Sequence, residues 1–64
     1  MDDALAAYGT GHADGMAGVQ DASRAGDPQT GADYRVGIVD GQVAAFEEAL
    51  IAAIRRAMGD KLDG

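Results

Sequence analysis

YGTGHADGMAG at residues 8–18 decides the fold, because its spacing returns as YRVGIVDGQVA at residues 34–44. Each copy carries Tyr, then Gly three positions on, Asp six on and Gly seven on. A glycine-rich run invites comparison with a phosphate-binding loop, but the third glycine of a GxGxxG pattern starting at Gly9 falls on Asp14, and no strand precedes it. The repeat is better explained by packing.

Working outward, Leu5, Tyr8, His12, Met16 and Val19 recur at spacings of three and four, which is one stripe of a helix. Asp2 or Asp3 can cap its start. Gly11, Gly15, Gly18 and Ala22 fall beside the stripe as a groove of small residues, with Gly9 off it. The spacing predicts a helix over about 3–23. RAGDPQTG then gathers the turn-forming residues, including the only proline, and predicts a connection over about 24–30. A second helix follows over about 31–58. Two starts compete for it: Asp27 as cap with Pro28 in the first turn, or Thr30 as cap with Asp33 three residues on. Thr30 is the preferred start, and Gly59 offers the stop, leaving a short C-terminal tail.

The second helix has two faces. Val36, Val39, Val43, Phe46, Leu50, Ala53 and Ala57 alternate spacings of three and four, with Ile54 and Met58 beside them, as a bulky seam. Gly37, Gly41, Ala44, Ala45 and Ala52 form a thin second face. Five glycines inside helices (Gly11, Gly15, Gly18, Gly37 and Gly41) cost roughly 5 kcal/mol relative to alanine. Close approach of two backbones is the natural compensation. The expected fold is therefore all-α: a single domain over 1–64, an antiparallel helical hairpin crossing through Gly11, Gly15, Gly18, Gly37, Gly41 and Ala44. The seam of Val36, Val39, Val43, Phe46, Leu50, Ile54 and Met58 is left for a second copy or another protein.

A chain of 64 residues gains little net stability from one core, and with no cysteine and one histidine it has neither disulfides nor a zinc ligand set to help. Pairing with a second chain is the expected remedy, and a two-fold dimer the expected form. Net charge is −6, from eleven acidic and five basic residues, and the largest basic cluster is Arg55-Arg56. Direct nucleic-acid binding is not expected, since it draws on clustered Lys and Arg. A protein partner with a basic surface is. No apolar run approaches the roughly 20 residues of a membrane span, and MDDALAAY lacks the features of a signal peptide, so the expected location is the cytoplasm.

No constellation of nucleophile, base and orienting group stands out, so neither enzymatic activity nor a cofactor or metal is expected. His12 beside Asp14 is the one pair suggestive of acid-base chemistry, and a packed imidazole explains it more simply. Tyr8 with Asp14 and Tyr34 with Asp40 are expected to serve as polar anchors flanking the crossing, with Arg35 available to a carboxylate.

Gly11-x3-Gly15-x2-Gly18, a connection containing Pro28, and Tyr34 followed by Gly37 together resemble the ribosome modulation factor family over about residues 8–45. That resemblance implies a helical hairpin and, in the family, action on ribosomes during hibernation through contacts with ribosomal RNA. The chain departs from it: the flanking basic residues are missing, Tyr34 stands where tryptophan is usual, and a long apolar helix continues past the likeness. The fold is carried over and the RNA binding is not. The composite expectation is a self-associating acidic module that regulates or inhibits a larger protein by docking. The alternatives are a ribosome-associated factor and an acidic mimic of nucleic acid.

Overall fold

In a computed structural model describing residues 2–63, the chain forms three helices: α1 at Asp3–Ala17, α2 at Ala22–Ala25 and α3 at Gly31–Asp63. The described residues hold no strand. The architecture is all-α, with α3 packed on α1.

Three aspartates set the starts. Asp2 accepts hydrogen bonds from the Ala4 and Leu5 amides at 3.0 and 3.4 Å and caps α1. Asp21 does the same for α2 through Ser23 and Arg24 at 2.9 and 3.3 Å. Asp27 accepts from Gln29 at 2.8 Å and Thr30 at 3.0 Å, while its carbonyl takes the Gly31 amide at 2.8 Å. These two side-chain bonds hold the Asp27 carboxyl below its usual range. α3 thus starts at Gly31, directly after Thr30 as the spacing predicts, with the Thr30 carbonyl taking the Tyr34 amide at 3.0 Å, while Asp27 organises the turn that precedes it.

Two boundaries move. α1 ends at Ala17, well short of residue 23, because Gly18 turns left-handed at φ 74°. Its amide bonds Gly15 O at 3.2 Å and Val19 N bonds Asp14 O at 2.9 Å, the paired closure of a Schellman cap. Gly18 is therefore a helix terminator and no part of the crossing. At the other end α3 runs through Gly59 to Asp63, in place of a stop and tail after Met58. Gly59 keeps a negative φ, so it costs helix stability without breaking the helix.

The largest correction is one of direction. A β-carbon at Gly11 would collide with Tyr34 O and one at Gly15 with Ile38 O; one at Gly37 would meet Tyr8 O and one at Gly41 His12 O. Along both helices these contacts advance together, so α1 and α3 run parallel, where the expectation was antiparallel. The early end of α1 supplies the reason. Stopping at Gly18 frees the 13 residues 18–30, which carry the chain back along α1, a helix of 15 residues and about 22 Å, to begin α3 beside α1's own start.

Tyr34, Ile38 and Ala25 form the buried core, with Ala7 packed against it. Past α1's end α3 continues alone from about residue 45. The molecule measures 55 × 22 × 11 Å with a radius of gyration of 16.0 Å, against about 11 Å for a compact chain of this length.

Candidate interaction surfaces

The crossing is built twice over. Tyr8 donates its hydroxyl to Asp40 Oδ2 at 2.6 Å, and Tyr34 donates to Asp14 Oδ2 at 2.6 Å. Each repeat's phenol is held by the other repeat's carboxylate. Shifting every residue by 26 exchanges the two bonds, and it also exchanges the contact of Gly11 with Tyr34 for that of Gly37 with Tyr8. The four anchors and the four crossing glycines form one unit with an internal approximate two-fold. Ala44, the counterpart of Gly18, sits half-buried at its edge.

The two phenols differ in cover. Tyr34 is 1% exposed, and its oxygen also accepts the Asp21 amide at 2.8 Å, so the returning connection seals it. Tyr8 lies half-buried, its hydroxyl bond exposed to solvent. Both phenols are raised above the usual 10.0: Tyr8 first by its bond to Asp40, Tyr34 first by burial and then by its bond to Asp14. A raised folded-state value means that this stabilisation is present below the ordinary phenol range and is lost as pH climbs through the raised one. Thermal melts are accordingly expected to hold steady from neutral pH to about 9 and to fall above about 10. Tyr8→Phe/Tyr34→Phe should abolish that alkaline fall while lowering the neutral Tm, with Tyr34→Phe the more harmful single change. An unchanged alkaline limb in the double variant would remove the phenols as its cause.

Several contributors went unread in the sequence. Ile38, 6% exposed, lies between the Gly37 and Gly41 contacts; the spacing Tyr34, Ile38, Gly41, Ala45 marks it as inward, in competition with the longer Val36 and Val39 seam on the other side. Gly31 packs against Ala25 O, and the Arg35 guanidinium donates to the same carbonyl, which ties the connection to α3. Arg35 therefore serves a backbone oxygen and not a carboxylate. His12 is half-buried with its ring tilted 41° against Tyr8 at 6.2 Å, and Asp14 is taken by Tyr34, so no His12–Asp14 pair forms. Among the described residues no three candidate ligands gather to hold a metal.

The second surface is the outer face of α3. Val36, Val39, Val43, Phe46, Leu50, Ile51, Ile54 and Met58 are all exposed, from 48% at Leu50 to 67% at Phe46. On a helix of 100° per residue these positions centre about 130° round from Gly37 and Gly41, so the glycine face meets α1 while the bulky face is left exposed. An open recess of about 390 Å³ lies at its start, lined by Ala32, Arg35, Val36, Val39 and Asp40. A polar recess of about 310 Å³ lies between α1 and the connection, against Asp3, Thr10, Arg24 and Asp27. Among the described residues no helix is long and apolar enough to cross a membrane. No family model, curated protein or solved structure matches the chain.

Proposed function

We propose that this chain is a non-enzymatic interaction module, self-associating through the outer face of α3 and regulating a larger protein by docking. The observation that carries the reading is the exposed apolar face that runs from Val36 to Met58, crossed by Asp40 and Glu47 alone, on a helix whose opposite face is already used. Exposed apolar surface of that continuity on a small water-borne chain marks a contact surface. The net charge of −6 makes a basic surface the complementary partner.

Light scattering at tens of micromolar is expected to give twice the mass of 6.5 kDa; a monomer mass would end the self-association reading. Affinity capture from the native cell followed by a salt series tests the docking. Binding should weaken at least tenfold between 50 and 300 mM salt if carboxylates meet a basic surface. Flat salt dependence would count against an acidic docking face, and co-capture of ribosomal RNA and proteins would favour the ribosome-associated alternative.

A further inference from the structure

We infer that the outer face of α3 is filled by a second copy of this chain laid antiparallel along the projecting half of the helix, with the two-fold axis passing between Ile51 and Ala52. The inference rests on the self-association proposed above and adds the orientation and register.

Area points to a second copy. The chain exposes 4727 Å², about 900 Å² more than the roughly 3,800 Å² expected of a compact chain of 6.5 kDa. A standard interface takes about 800 Å² from each partner. The surplus is therefore about one side of one interface, and the unaccompanied part of α3 is where it lies.

Charge selects the orientation. Up to Ala44 the chain carries seven acidic and two basic residues, a net −5; beyond it stand four acidic and three basic, a net −1. Parallel pairing would set two heads of −5 side by side, whereas antiparallel pairing sends them to opposite ends and overlaps the nearly neutral arms.

Side-chain size and local charge select the register. An axis between Ile51 and Ala52 lays Phe46 over the partner's Ala57 and Leu50 over the partner's Ala53, a large residue facing a small one in each layer. Glu47 stands on one flank of this face, whereas Arg55, five turns on from Gly37, points to the opposite side of the helix and takes no part in the contact. The axis repeats each of these contacts. The competing register, centred on Glu47 to cover Val36 with Met58, would place two Glu47 carboxylates against each other.

The test uses a spin label at Gln42→Cys, an exposed site in a chain with no cysteine of its own. At 1.5 Å per residue the proposed register separates the two labels by about 30 Å, while the Glu47-centred register and a parallel pair both bring them under about 20 Å. Leu50→Ala should weaken the dimer at least tenfold, and adding Ala53→Leu, which puts the large side chain back in the same layer from the other side, should restore it. A dimer with a label distance under about 20 Å, or no restoration in the Leu50→Ala/Ala53→Leu swap, overturns the arrangement and leaves self-association standing. A monomer up to 100 µM, including one that holds a different protein on this face, overturns both.

Discussion

Gly15→Ala is expected to leave the protein largely unfolded at 25 °C. A single β-carbon at that position would overlap the carbonyl oxygen of Ile38, and the neighbouring atoms are backbone, with no flexible side chain to swing aside. Relief requires α1 and α3 to separate, which breaks the Tyr8–Asp40 and Tyr34–Asp14 bonds on either side of the crossing and exposes Ile38. Overpacking a core costs about 1–3 kcal/mol when side chains can yield, and more where they cannot. A domain of this length holds roughly 3–10 kcal/mol in total. Gly9→Ala is the internal control. Nothing lies within 4 Å of a β-carbon there, so the change should raise stability by up to about 1 kcal/mol through helix propensity alone. Circular dichroism melts of the pair decide the matter: equal midpoints would refute the close crossing.

Leu50→Asp/Ile54→Asp is expected to leave the crossing folded and abolish the dimer. Both residues are 48% exposed in the single chain, and neither touches the core, so intramolecular stability should change little. In a two-fold pair the double change removes four apolar side chains from the contact, each contributing roughly 1.5–3 kcal/mol when fully buried. The dimer Kd should rise by more than about a thousandfold by sedimentation. Residues 45–63, deprived of a packing surface, then depend on intrinsic helicity, which is marginal in water for a segment this short. Those 19 residues belong to the 33 of α3, so far-UV ellipticity should drop by up to about a third, without loss of the cooperative melt of the crossing. An unchanged Kd would place self-association, if any, elsewhere on the molecule.

Period and repeat made much of this architecture legible. The glycines that cross, Gly11, Gly15, Gly37 and Gly41, and the tyrosines and aspartates beside them are a short-range pattern, and short-range patterns survive in a string. The separation of α3 into a thin face and a bulky face follows from the same periodicity. Direction did not survive, because it depends on where α1 ends. Gly18 fits the groove spacing as well as Gly15 does, and only the left-handed φ that closes the Schellman cap distinguishes a terminator from a packing residue. Once α1 stops there, residues 18–30 are long enough to return, and parallel packing follows. The pairing of each tyrosine with the other repeat's aspartate is likewise a consequence of that direction. Ile38 was hidden for a different reason: it stands between two valines of the opposite face, and a local reading favours the longer stripe.

The internal two-fold of the crossing has a consequence for what the connection does. Two helices that hold each other through identical motifs could in principle meet as separate molecules, at a rate set by how much of each is dissolved. Joining them through residues 18–30 replaces that bulk encounter with a local concentration in the millimolar range or above. In that light α1 and the first half of α3 are a dimer in one chain, and Asp21, Ala25 and Asp27 make its tether stiff enough to bring the second helix in facing the same way as the first.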